Sequence, residues 1–429
     1  CESIGLEYMY IRDPLKVRWI QNFINVNSNQ PNFSKNEKLS ILNSLNKAYT
    51  FENFLQKKYV GQKRFSLEGG ESLIPAIDFL INLAAEKGVE EFVMGMSHRG
   101  RLNTLVNIFG KSSRDIFGEF EGKDYEEDIF DGDVKYHLGW TSERTSTSGK
   151  KINMNLAPNP SHLESVDPVV QGIARAKLEN DFDNNTNKVL PIIVHGDAAI
   201  AGQGVVYEVI QMSRLKGYST GGTVHLIINN QVGFTTNYLD ARSSTYCSDV
   251  GKVTLSPVLH VNSDDVEAVI HAVTFALEYR NKFNRDVFID LLGYRKYGHN
   301  EGDEPRFTQP KLYKYISGHP NPRDIYASKL TDQGIINDDH VSKIELEYFS
   351  KLETELTDSK KKQKTKITPF MQEVWEGFIR VDENKMLEDY KTSSLKKDIL
   401  NVAKSITKLP NKSFLRKITK LFDSREKLI

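Results

Sequence analysis

The chain has 429 residues, 39% of them hydrophobic, which is enough for a buried core in one large or two ordinary domains. Its 57 basic and 57 acidic residues cancel, so no global field draws it to nucleic acid or to an anionic membrane, and partners must be recognised locally. Cys1 and Cys247 are its two cysteines, too few for a disulfide framework or a cysteine-built zinc site and consistent with a reducing interior.

From Cys1 to about Lys58 the pattern is helical and polar-rich, with Trp19, Ile20, Phe23 and Ile24 at helix spacing and Leu39, Leu42 and Leu45 repeating it. Residues 1–60 therefore read as a helical accessory segment. Because Cys1 has no initiator methionine or signal peptide before it, the chain reads as a piece of a longer polypeptide. Between Gly61 and about Pro305 short β-rich runs alternate with helices. The runs are Glu91 to Met96, Ile152 to Leu156, Val189 to Val194, Val224 to Ile228, Val258 to Val261 and Val287 to Leu292. This alternation predicts an α/β domain over 61–305 with a doubly wound, mainly parallel sheet.

The helix after Gly196-Asp197 carries Val205, Val209 and Met212 on one face and is expected to end at Gly217. A later helix is expected from Asp264 behind Ser263 as N-cap, stopping near Lys282. Its apolar stretch from Ala268 to Leu277 is short and interrupted by His271, so it reads as amphipathic, and no segment approaches a membrane span. Residues 306–429 turn helical again, and the basic run Lys360 to Lys366 reads as a solvated helix end or loop.

The most informative spacing lies at the ends of two successive apolar runs. Gly196-Asp197 closes one, Asn229-Asn230 closes the next, and a helix-length stretch separates them. Such strands bring Asp197 and Asn230 together at the carboxyl edge of a parallel sheet, where open α/β sheets bind ligands. Magnesium takes one or two oxygen ligands from protein and the rest from phosphates and water. Asp197 offers charge, Asn230 a neutral carbonyl, and the backbone carbonyl near Val232 a third oxygen beside a permissive Gly233.

His98, Arg99 and Arg101 follow the strand ending at Met96, where side chains and amides suit an anion. His195 adjoins the metal motif, His299 follows the strand ending at Leu292, and His137 and His162 fall in loops. His225, His260 and His271 sit inside regular elements and read as structural. Asn159-Pro160-Ser161 reads as a turn before a helix starting near Ser165. Other chemistries fail on spacing. Gly202-Gln203-Gly204 lacks the third glycine of a dinucleotide fingerprint, and a nucleotide phosphate loop, a serine-hydrolase elbow and an H-E-x-x-H zinc helix are absent.

Seven stretches carry a family resemblance. They are FSLEGGE (65–71), GMSHRGRLN (95–103), GDVKYHLG (132–139), NPSHLE (159–164), HGDAAIAGQGVVYE (195–208), INNQVGFTT (228–236) and GHNEGDEP (298–305). In this order they resemble the thiamine-diphosphate-dependent decarboxylating component of 2-oxoglutarate dehydrogenase complexes. Thiamine enzymes often read Gly-Asp-Gly at the metal motif, whereas Ala198 follows Asp197 here, as in the 2-oxoglutarate branch.

The resemblance implies thiamine diphosphate and magnesium as cofactors. Asp197 and Asn230 would bind the metal through side chains and Val232 through its carbonyl, with Ala198 and Ala199 donating amides to the diphosphate. Arg99, Ser161, Leu163 and His299 would line the cofactor, and His98, His137 and Ser161 would address the 2-oxo acid, with His98, His137 and His299 as the catalytic set. The implied reaction is oxidative decarboxylation of 2-oxoglutarate, with the succinyl group passed to the lipoyl group of a partner acyltransferase in the tricarboxylic acid cycle. A homodimer is implied, in a bacterial cytoplasm or a mitochondrial matrix.

The glutamate that such enzymes hold against the aminopyrimidine belongs to a second α/β domain, and no further βαβ pattern follows Leu292. This polypeptide alone is therefore expected to be inert. The alternatives are a sister enzyme acting on 2-oxoadipate, a stand-alone decarboxylase, and a non-catalytic module that keeps the fold.

Overall fold

A computed structural model describes residues 4–26, 28–123, 134–364, 370–378, 381 and 383–428. Gly132 and Asp133 of the GDVKYHLG stretch, and Thr365 and Lys366 of the basic run, lie outside these residues. The described chain forms two units, residues 1–374 and 375–429. The second holds short helices, the longest being Lys396–Thr407 and Arg416–Glu426.

The first unit is built on a sheet whose strands are β1 (Gly5–Glu7), β2 (Glu91–Met96), β3 (Trp140–Thr145), β4 (Lys151–Leu156), β5 (Val189–Gly196) and β6 (Val224–Asn229). A small hairpin follows, β7 (Val232–Gly233) with β8 (Thr236–Asn237), and then β9 (Val258–Asn262) and β10 (Val287–Leu292) return to the main sheet. The main sheet runs β1-β9-β10-β6-β5-β2-β4-β3. Its six inner strands are parallel, and β1 and β3 add antiparallel edges. The sheet is therefore α/β and mainly parallel, as the alternation predicts. The edge strands escaped the sequence reading because Gly5–Glu7 is very short and Trp140–Thr145 is polar on both faces.

Strands buried on both sides read as continuous apolar runs, and β5 shows why. Leu190, Ile192 and Val194 pack on one face under α1 (Leu73–Glu86), while Val189 and Ile193 pack on the other under α2 (Val166–Asp181). The helix α5 (Val266–Phe283) crosses the first face after two short helices and one turn are inserted on the second: α3 (Asp197–Gly202), α4 (Gly204–Met212) and the helical turn at Cys247–Thr254.

Three helix details differ from the sequence expectation. The segment after Asp197 breaks at Gln203, whose extended backbone separates α3 from α4, and α4 ends at Met212 rather than Gly217 because Ser213 and the residues after it form tight turns. The N-cap of α5 is Asp265, which accepts from the Ala268 amide, rather than Ser263. This helix is also buried nearly all round rather than amphipathic, since α1, the sheet and the N-terminal helix Pro14–Val26 enclose it; Trp19 and Phe23 of that helix pack edge-on against Phe275 and its neighbours.

Buried charge ties the long connections to this frame. Arg64, fully enclosed, pairs with Glu52, with Glu68 at 3.2 Å and with Glu301 at 3.8 Å. Glu301 in turn accepts from the backbone amides of Arg64, Phe65 and Ser66 at 2.7, 3.1 and 2.8 Å. The FSLEGGE and GHNEGDEP stretches are thus fastened together. Gly69 completes the fastening: its φ is +97°, and a Cβ there would stand 2.3 Å from the Tyr294 carbonyl oxygen. Replacing one member of a buried ionic group leaves its partners uncompensated, so Arg64→Met should cost about 3–5 kcal/mol in stability, read as a lower urea midpoint at unchanged m-value.

Candidate functional site

Parallel pairing decides which residues emerge together. Gly196 of β5 is in register with Ile228 of β6, so Asp197 lies one residue beyond that pair and Asn230 two beyond it. Met96 of β2 is in register with Val194, which brings His98 and Arg99 out at the same edge. A cavity of about 450 Å³ opens there. Of the residues singled out from the sequence, His98, Arg99, Leu163, Asp197, Ala198, Ala199, Asn230, Val232 and His299 line it.

His137 and Ser161, which the resemblance also implicates, sit behind His98. The His98 and His137 rings are 4.9 Å apart, and Ser161 Oγ lies 3.4 Å from His137 Nε2. Phe65 joins the two ends of this row, with its ring 5.1 Å from His98 and 5.5 Å from His299. No residue-type signal marked Phe65 as a wall of the site beyond its place in FSLEGGE.

Arg99 works as a brace. One Nη donates to the Ser66 carbonyl at 2.9 Å and the other to the His299 carbonyl at 2.8 Å. Arg101 is withdrawn from the site altogether: its guanidinium is buried and donates to the carbonyls of Met96, Leu138 and Ala157. The anion-binding cluster expected of His98, Arg99 and Arg101 therefore loses its third member to the frame. Burial lowers Arg99 to about 10, so it stays cationic at neutral pH.

His98 and His299 are held neutral. Burial is the main cause for both, reinforced by His137 and arginines for His98 and by Arg99 and Arg295 for His299, and each is lowered to about 4. His98 Nε2 is buried with no hydrogen-bond partner among the described residues.

The metal motif has the expected donor character. The Asp197 carboxylate is only 4% exposed, and burial pushes it up to about 6 against the pull of the Arg242 guanidinium, whose Nη1 lies 3.9 Å away. Asn230 Oδ1 accepts from the Val232 amide at 3.3 Å. Gly233 is where β7 meets α3, since a Cβ on it would lie 2.7 Å from the Ala198 Cβ. Val232, the residue before Gly233, lines the same cavity as Asp197. A buried carboxylate, an amide oxygen and a backbone carbonyl form a set of hard oxygen donors fitted to a small divalent cation.

A second group of potential ligand atoms lies beneath. Those of Glu164, Asp167 and His195 are within 4.8 Å of one another. Here the donors bond each other: His195 Nδ1 lies 2.6 Å from Glu164 and its Nε2 2.9 Å from His225 Nδ1. Burial opposes charge on His195, but Glu164 and Asp167 outweigh it and hold the imidazole above its ordinary range. Glu164 takes up a left-handed backbone conformation, φ 66°, immediately after Leu163. His260 is held between Asp290 and Glu7, and the His271 ring packs against Phe23.

The family described as dehydrogenase E1 component matches residues 44–368. A protein named 2-oxoglutarate dehydrogenase E1 component from Cupriavidus necator is 51% identical over 337 residues, which is 78% of this chain and 35% of that protein. Its namesake from Brucella ovis is 42% identical over 441 aligned positions, covering 100% of this chain and 44% of that protein. The one from Haemophilus influenzae is 46% identical over 354 residues, 82% of this chain and 38% of its own length. The chain thus spans less than half the length of these relatives. No helix among the described residues is long and apolar enough to cross a membrane.

The two neutral histidines make stability depend on pH. Unfolded they titrate near 6.5 and folded at about 4, so between these values the unfolded chain binds more protons. Stability should rise with pH across that window, be complete above it, and be lost as pH falls through about 4. The double substitution His98→Gln, His299→Gln should make the decline in thermal midpoint shallower; an equally steep decline would clear these two groups of the effect.

Proposed function

The chain belongs to the dehydrogenase E1 component family, and from that premise we propose that it supplies the thiamine diphosphate and magnesium half of a 2-oxoglutarate-decarboxylating site. The observation that carries this reading is the single cavity shared by Asp197, Ala198, Ala199, Asn230 and Val232 with His98, Arg99, Leu163 and His299. Asp197, Asn230 and the Val232 carbonyl would hold magnesium. The amides of Ala198 and Ala199, in the first turn of α3, have no intrahelical acceptor and would meet the diphosphate. When bound, thiamine diphosphate supplies a carbon nucleophile for the 2-oxo carbon and accepts the electron pair left when carbon dioxide departs.

The protein's own part is placement and polarity. Phe65, Leu163 and Phe234 supply apolar surface to the cavity walls. His98, uncharged, offers hydrogen bonding without titrating near neutral pH, and His137 with Ser161 behind it would receive the substrate carboxylate. Fixing the cofactor's tail at Asp197 orients its reactive end relative to these groups. Asp197 is the one carboxylate lining the cavity among the described residues, and the metal claims it. No acid is left there to drive carbanion formation, so this polypeptide by itself should bind cofactor and release no carbon dioxide. In the parent enzyme the acyl group would pass to a lipoyl-bearing succinyltransferase, with two copies of the chain pairing.

Titration calorimetry tests the metal assignment directly. Asp197→Ala should weaken thiamine diphosphate binding in magnesium by more than roughly 100-fold, because it removes a ligand rather than a supporting group. Unchanged affinity would remove the basis of the proposal. His137→Ala should raise the 2-oxoglutarate concentration that the full-length enzyme requires by about tenfold while leaving cofactor affinity alone; equal losses of both would make this histidine a wall rather than a substrate contact.

A further inference from the structure

Arg242 stands out because no motif pointed to it and the fold nonetheless aims it at the metal motif. The chain leaves Asn230, turns through the β7–β8 hairpin and the short helix Tyr238–Ala241, and returns so that Arg242 Nη1 is 3.9 Å from Asp197 Oδ2. The excursion is closed at its base, where the Tyr238 amide donates to the Gln231 carbonyl at 3.2 Å, and at its turn, where the Asn237 side chain accepts from the Leu239 amide at 3.0 Å. Gly233, Phe234, Thr236 and Ala241 of the same segment line the cavity. Arg242 is itself only 10% exposed along its side chain, with its guanidinium 5.4 Å from the Tyr238 ring centre.

Its hydrogen-bonding capacity is unspent. A separation of 3.9 Å from Asp197 is too long for a hydrogen bond, and Nε is buried with no partner among the described residues. The two arginines that line the cavity are committed: Arg99 to the carbonyls of Ser66 and His299, Arg295 to those of Tyr297 and Phe234. His98 and His299 carry no charge at neutral pH. A diphosphate carries more negative charge than one magnesium ion neutralises, and the Asp197 carboxylate adds to the deficit. A guanidinium presents planar paired donors suited to phosphate oxygens.

Resting on the reading of Asp197 as a ligand of the magnesium that holds thiamine diphosphate, we propose that Arg242 is a further cation of that site and donates hydrogen bonds to the diphosphate. The excursion from Asn230 to Arg242 then encloses the phosphate tail from both ends, with metal ligands at its start and a phosphate donor at its finish. Arg242 makes no contact in this scheme with the reacting carbon, so its contribution is to affinity.

Calorimetry on the full chain separates the possibilities. In saturating magnesium, Arg242→Gln should weaken thiamine diphosphate about tenfold or more, and inorganic diphosphate by a similar factor, as expected for a charge-assisted hydrogen bond. Manganese alone, followed by its paramagnetic effect on water relaxation, should bind the variant as well as or better than the parent, because the guanidinium no longer competes for Asp197. Arg242→Lys should recover part of the loss. The proposal is overturned if Arg242→Gln binds thiamine diphosphate like the parent, or if it loses manganese affinity and thermal stability together, which would mark a structural ion pair. Failure of the parent chain to bind thiamine diphosphate, or indifference to Asp197→Asn, would instead bring down the cofactor reading and this proposal with it.

Discussion

A carboxylate shut away at the tip of a central strand is the constraint around which this molecule is organised. Asp197 cannot retreat, because β5 is held in parallel register by β2 on one side and β6 on the other. It cannot reach water freely either, and burial opposes its charge. Such a group has to be matched by positive charge brought to it. Among the described residues that charge is a guanidinium returned by a hairpin, Arg242, while the Asn230 side chain and Val232 line the same cavity.

The surrounding loops would be free to wander were they not fastened by buried polar groups. Glu301 captures three consecutive backbone amides from Arg64 to Ser66, and Arg64 sits on three carboxylates at once. Arg99 then spans Ser66 and His299, so a residue that resembles a ligand-binding cation is also the clamp between two cavity walls. A lysine could not make the same span, because its single ammonium lacks the forked geometry. Side chains that look available for chemistry in a sequence are thus partly consumed in holding the chemistry's geometry, Arg101 entirely so.

The inner strands were legible because burial on both faces favours short, mainly apolar runs, as in Val189 to Val194 and, despite Asp290, Val287 to Leu292. The pairing of Asp197 with Asn230 was legible for the same reason, since strand ends determine what shares an edge. The edge strands were not, because a three-residue segment such as Gly5–Glu7 carries no periodicity. The cap of α5 was misassigned because Ser263 and Asp265 are both good acceptors, and only the backbone geometry chooses between them. Arg242 lay out of reach for a different cause: its position depends on a hairpin of two-residue strands, and no local pattern says where such a hairpin returns.

The bond between Glu164 and His195 has a bearing on how the cavity can respond to an occupant. Leu163 and Asp197 face the same space from segments more than thirty positions apart in sequence, and each is covalently within two residues of one end of that bond. The turn that carries Leu163 holds Glu164 in a sparsely populated backbone conformation, so it has little slack of its own. Wall and floor of the cavity are consequently tied through one buried hydrogen bond, so the NPSHLE turn and the strand tip that carries Asp197 share a point of attachment.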